Sequence, residues 1–180
     1  MQNLSDQELV VLAIKGDSKA FEQLVFRYEK PIFIYTKRFL NQKESAEDVT
    51  QETFIKIYRS LKNFDPEYKF KTWIYTVATN TVYDWLRKAK KSKELFIIDD
   101  PDNSFETIDE DASYNKIEDK ELIDNALKNI KPVYQSVIVL FYRDGLLYEE
   151  IAEVLRVPVN TLKTYMSRAK KALGEELNKQ

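Results

Sequence analysis

Apolar residues recur along this chain at helical rather than strand spacing, in two separated blocks. In the first block, Ser5 with Glu8 forms a capping-box pattern that predicts a helix stopping at Gly16. A second helix is expected from Ala20 to about Leu40, with Pro31 marking a kink or break. Ser45 with Asp48 reads as the cap of a third helix reaching about Leu61, and a fourth is expected from about Phe70 to Lys91. The second block begins near Ile117 with a helix to about Asn129, and Pro132 opens another to about Arg143. Tyr148 to Lys163 then reads as two short helices across a tight turn. Only three Gly and five Pro reinforce an all-α expectation.

The stretch from Phe96 to about Glu118 breaks this pattern. It carries turn formers, few apolar residues and the acidic runs Asp99-Asp100-Pro101-Asp102 and Asp109-Glu110-Asp111, so it reads as a linker. A surface loop of a single domain is the alternative, but loops of that length are uncommon in compact domains. The expected organisation is therefore two small helical domains, 1–95 and 117–180, joined by an acidic linker at 96–116. Charge sharpens this division. The net formal charge of −2 hides about +4 over residues 1–95, about −8 over 96–121 and about +2 over 122–180.

Composition then removes whole classes of chemistry. Without Cys or His there is no disulfide, thiolate nucleophile, zinc site of the usual kind or imidazole acid–base catalysis. No glycine-rich phosphate loop is present. The expectation is a non-enzymatic chain without cofactor or metal. It shows no membrane-spanning window and no signal-peptide core, and so reads as cytoplasmic.

Three surfaces carry more than solvent-facing polarity. On a helix from Val159, at about 100° per residue, Val159, Leu162, Tyr165, Met166, Ala169 and Leu173 share one side. Asn160, Lys163, Thr164, Ser167, Arg168 and Lys171 occupy the other. A helix-turn-helix needs this division: an apolar side to pack, and a polar, basic side for base edges and phosphates. An ordinary amphipathic terminal helix would also put Lys and Arg outside.

On the helix starting at Ala46, residues Ala46, Val49, Phe54, Ile57, Tyr58 and Leu61 are expected to face the core. Opposite them, Ile55 is ringed by Asp48, Gln51, Glu52 and Arg59, a pattern suited to docking a basic partner surface. An isolated exposed apolar residue is the plainer account.

On the helix from Phe70, the residues Ile74, Tyr75, Ala78, Val82, Trp85 and Leu86 are expected core. Trp73, Thr76, Asn80, Tyr83, Asp84 and Arg87 fall across from them. Aromatic rings interleaved with an amide and a guanidinium suit unstacked bases, at about 1–3 kcal/mol of stacking per base. The preceding turn-rich loop, Asn63 to Lys69, adds further aromatics, and the basic run Arg87 to Lys93 suits phosphates. The alternative is that Trp73 and Tyr83 pack on a neighbouring helix.

With these motifs in view, the chain resembles the extracytoplasmic-function RNA polymerase sigma factors, which keep only the domains called region 2 and region 4. The resemblance rests on Gly16-Asp17…Ala20-Phe21…Leu24, on Ala46 to Phe54, on Phe70 to Arg87 and on Tyr148 through Ala169. It implies that Asp48, Gln51, Glu52 and Ile55 dock on the clamp helices of the polymerase largest subunit. It implies that the loop Asn63 to Lys71, with Asn63, Phe64 and Lys71, captures a flipped base of the −10 element. Trp73, Asn80, Tyr83, Asp84 and Arg87 would line the separated strand. Asn160, Lys163, Thr164, Ser167, Arg168 and Lys171 would lie on the −35 recognition helix. The linker would thread toward the polymerase active centre. Further implied partners are the polymerase flap region, promoter DNA and an anti-sigma factor.

The chain departs from the family pattern at Arg156, where Gly is common in the turn; this points to an altered turn or an extra phosphate contact. Tyr165 and Asn160 replace a common Arg and Gly. A helix-turn-helix repressor would instead predict a homodimer and a palindromic operator. An enzyme using the acidic strip for metal would predict metal-dependent turnover.

Overall fold

The computed structural model describes residues 4–40, 42–90 and 120–179, and they fall into two compact units. The expected linker 96–116, residues 117–119 and Lys91 to Lys93 lie outside the described residues. The first unit holds α1 (Asp6–Ile14), α2 (Ser18–Phe39), α3 (Lys43–Ser60), a 3-10 turn (Leu61–Asn63) and α4 (Phe70–Lys90). The second holds α5 (Lys120–Asn129), α6 (Pro132–Ile138), a π-helical continuation (Val139–Arg143), α7 (Tyr148–Leu155) and α8 (Val159–Leu177). No strand occurs among the described residues.

Local chemistry explains the joints. The Ser5 hydroxyl accepts the Glu8 backbone N–H at 3.3 Å, and the Glu8 carboxylate accepts the Ser5 N–H at 2.7 Å. The Ser5 N–H and, also at 2.7 Å, the Ser5 hydroxyl both donate to the Glu8 carboxylate and hold its carboxyl below its ordinary range. Helix α1 closes as expected at Gly16, whose φ of 99° lets the Asp17 N–H reach the Leu12 carbonyl at 3.1 Å. Asp17 then caps α2, accepting from the Lys19 and Ala20 N–H groups at 2.9 and 3.2 Å. The Gly-Asp pair thus ends one helix and starts the next with no spacer, and α2 begins at Ser18, two residues before the expected Ala20.

Several expectations need correction. Of the kink or break expected at Pro31, no break occurs: α2 is continuous through it, the lost hydrogen bond being outweighed by burial of Tyr28, Ile32 and Tyr35 on the same helix. Ser45 does not cap α3; the cap position is Gln42, with no side-chain hydrogen bond, and Ser45 lies inside the first turn. Tyr58 is not core: it is 64% exposed, and Phe54 is half-buried. Thr50 and Thr53 take those places, since their hydroxyls are satisfied by the Ala46 and Val49 carbonyls at 2.7 Å each. Burying a hydroxyl costs little once it is paired. Trp85 is also half-buried rather than core, one turn from the exposed end of α4.

The remaining core follows the pattern of spacing. Leu24, Ile32, Tyr35, Ile57, Phe70, Ile74 and Tyr75 fill the first unit, with Tyr35 hydrogen-bonded to Thr79 at 2.8 Å. Asp6 ties α1 to α2, receiving Arg27 at 2.7 Å and the Tyr28 hydroxyl. Burial, with the Asp6 carboxylate beside it, raises the Tyr28 phenol well above its ordinary range. In the second unit Leu127, Val137, Leu140, Ile151, Leu162, Tyr165 and Leu173 are buried. Pro132 sits at the head of α6, as its position predicted, and the π turn carries that helix to Arg143.

Candidate nucleic-acid interface

The stripe on α3 is real and solvent-facing. Asp48, Gln51, Glu52 and Ile55 stand at helical spacing and all four are exposed, Ile55 at 50%. Tyr58 extends the stripe by one turn, its ring edge-on to Phe21 at 5.1 Å. Sequence reasoning assigned this Tyr to the core and so missed it.

The loop before α4 is built from below and from behind. Asp65 starts a turn with Pro66 at its second position: the Tyr68 N–H reaches the Asp65 carbonyl at 3.1 Å, and the Glu67 N–H reaches Asp65 Oδ1 at 3.0 Å. From α1, the Gln7 side-chain amide donates to the carbonyls of both Pro66 and Tyr68, the latter at 2.9 Å. Beneath the loop Phe64 is buried, its ring centroid 4.7 Å from Trp73 and 5.8 Å from Phe70. Phe64 therefore supports Trp73 instead of offering its own face. Asn63, at the end of the 3-10 turn, is exposed. Gln7 was not foreseen; only its position two residues into a capped helix was legible.

Along α4, Trp73, Asn80, Tyr83, Asp84 and Arg87 share one stripe of about 100° width. Asn80 and Arg87 are exposed; Trp73, Tyr83 and Asp84 are half-buried. Lys71 is not with them, because two residues on a helix are about 200° apart, and it lies on the far side of α4 from Trp73. The stripe is electrically tied to α3. Lys56 Nζ lies 3.0 Å from Glu52, 3.8 Å from Asp84 and 3.3 Å from the Thr81 hydroxyl, and Asp84 accepts an Arg87 N–H at 2.8 Å. Ion pairs this exposed contribute about 0–1 kcal/mol each, so the chain orients side chains more than it stabilises the fold.

The helix-turn-helix forms as read. Glu150 accepts the Leu147 N–H at 2.8 Å and so caps α7. After α7 the chain turns at Arg156, which has a left-handed φ of 55°, and the Val157 N–H closes back on the Ala152 carbonyl at 3.0 Å. On α8, Leu162, Tyr165, Met166, Ala169 and Leu173 are buried, and Val159 in the first turn is half-buried. Asn160, Lys163 and Lys171 are exposed; Thr164, Ser167 and Arg168 are half-buried beside them. Among the described residues, Lys163, Arg168 and Lys171 have no ion pair. An open apolar groove of about 180 Å³ lies elsewhere in this unit, lined by Ile123, Leu127, Ile138, Tyr142, Arg143, Lys170, Leu173 and Leu177.

Two family models match these same units: Sigma-70 region 2 over residues 24–92, and Sigma-70 region 4 over residues 120–173. The chain is 32% identical to the ECF RNA polymerase sigma-E factor of Haemophilus influenzae, covering 98% of this chain and 97% of that one. The chain belongs to the extracytoplasmic-function sigma factors. It is also 34% identical to the ECF sigma factor SigW of Bacillus subtilis, over 91% of each chain. Its structure matches the sigma factor RpoE of Bartonella quintana, solved with the anti-sigma factor NepR. That match has a TM-score of 0.68 and 25% identity, and covers 89% of this chain and 98% of that one.

As a sigma factor the chain is a non-enzymatic initiation factor, whose domains bind core RNA polymerase and DNA and direct promoter-specific transcription. No described helix of this sigma factor is long and apolar enough to cross a membrane.

Proposed function

We propose that this sigma factor divides promoter recognition between its two units, with domain limits at 1–95, 96–116 and 117–180. The second unit reads the −35 duplex through Asn160, Lys163, Thr164, Ser167, Arg168 and Lys171. The first docks on the polymerase clamp helices through Asp48, Gln51, Glu52 and Ile55. It holds the opened −10 strand along Asn63, Trp73, Asn80, Tyr83, Asp84 and Arg87, with Phe64 beneath and Lys71 at the helix start. The carrying observation is the α8 surface, where three cations without ion pairs flank Asn160, Thr164 and Ser167, with Leu162, Tyr165, Met166, Ala169 and Leu173 buried on the opposite side. Each module alone binds weakly, since every phosphate contact adds only a salt-sensitive increment. Polymerase fixes their separation and makes the second contact effectively intramolecular.

The apolar groove beside α5 and α8 is the candidate seat for the polymerase flap region, because apolar lining suits a helix with an apolar face. An anti-sigma regulator belongs to the same proposal, supported by the Bartonella quintana relative having been solved with one. Its site of action is the cytoplasm, where polymerase and promoter DNA are. The test is transcription by purified core polymerase from a genomic promoter library. The reading expects a discrete promoter set dependent on this chain, with permanganate-reactive bases over the −10 bubble. Promoter output unchanged by adding the chain overturns it.

A further inference from the structure

We propose that Arg156, in the turn between α7 and α8, is a DNA-backbone anchor that grips a phosphate without reading sequence. This rests on the −35 reading of the second unit and adds a contact outside its recognition helix. Arg156 is the one non-glycine residue with positive φ among the described residues, at 55°. A left-handed conformation is unfavourable for an L-residue with a Cβ, and a glycine in its place would remove that penalty. Strain of this kind points to a function when the side chain is placed for one.

Here it is. The side chain is exposed, and among the described residues it has no ion pair, hydrogen bond or ring contact. The nearest carboxylate in sequence, Glu153 on α7, is exposed and makes no ion pair with it. Arg156 lies four residues before Asn160, in the turn that leads into α8 and outside that helix's own stripe. A guanidinium presents paired N–H donors that match a phosphate's oxygens, and a residue outside the stripe reaches backbone more readily than base edges.

The left-handed turn lets stability and binding be separated. Arg156→Gly and Arg156→Asn both keep a residue type that tolerates positive φ, and Arg156→Lys keeps the charge. Holoenzyme is assembled from core polymerase and each variant, and its affinity for promoter duplexes recovered from the library is measured across monovalent salt. Arg156→Gly should raise the unfolding temperature of the chain while weakening promoter binding several-fold. With Arg156→Asn the log–log salt slope should become shallower by about 0.9, the loss of one phosphate contact. The loss should be equal on every promoter tested, and Arg156→Lys should retain the wild-type slope. Unchanged affinity and slope in both Arg156→Gly and Arg156→Asn overturn the proposal, as does a loss confined to one −35 sequence. Wild-type holoenzyme that ignores the −35 duplex altogether sinks the underlying reading instead.

Discussion

The polar stripes of α4 and α8 are made from the same kinds of residue but treat their charges in opposite ways. On α4, Arg87 is paired to Asp84, and Lys56 bridges Asp84 to Glu52 on α3. On α8, Lys163, Arg168 and Lys171 have no carboxylate partner among the described residues. An unpaired surface cation costs nothing to present to a phosphate, whereas a paired one must first leave its partner. The difference fits the two DNA forms. Paired DNA offers a dense, regular row of phosphates that rewards free cations. A separated strand offers ring faces; on the proposed reading Trp73, held on Phe64 and Phe70, would meet them, and the cations there need only be held in register.

Replacing both Lys163 and Arg168 with Ala should have the largest effect. Duplex −35 binding should weaken by about 2–4 kcal/mol and its log–log salt slope become shallower by about 1–2, with polymerase association unchanged in a pulldown. Loss of polymerase binding in that variant would break the contrast at its root. Next, Trp73→Ala should cost about 1–3 kcal/mol in strand capture, read as reduced permanganate reactivity over the bubble. Because Trp73 also packs on Phe64, Asn80→Ala is the control: it is exposed, and should lower reactivity without moving the unfolding temperature.

A smaller effect is expected from Lys56→Met. Stability should change by less than about 1 kcal/mol, while affinity for a single-stranded −10 oligonucleotide falls and −35 duplex affinity holds. Equal losses on both DNA forms would show that the charge chain is not specific to the α4 stripe. The smallest effect comes from acid. With its folded-state carboxyl lowered, Glu8 contributes stability above the unfolded glutamate range, and that part is lost as pH falls through the lowered value. Both tryptophans lie in the first unit, so their emission should shift in that window for the wild type and much less for Glu8→Gln.

Much of this was readable from spacing. Buried Leu162, Tyr165, Met166, Ala169 and Leu173 obey the helical period, and Gly16 ends α1 as its backbone freedom predicts. The failures come from partners that the helical period of apolar residues does not register. Thr50 and Thr53 are core because carbonyls one turn back satisfy them, which displaces Tyr58 to the surface. Lys56 matters because α4 brings Asp84 beside it from 28 residues away in the chain. Phe64 changes from a presented ring to a buried one because Phe70 and Trp73 close over it. No periodicity in one helix encodes a neighbour on another.

The grip of Gln7 on the Pro66 and Tyr68 carbonyls spans 59 and 61 residues of chain. The donor leaves the ribosome well before its acceptors, so the contact must wait for the loop before α4 to be made. Trimming past Gln7 would therefore remove a support from a loop some sixty positions downstream, so a change at one end of the first unit is felt at the entrance to α4.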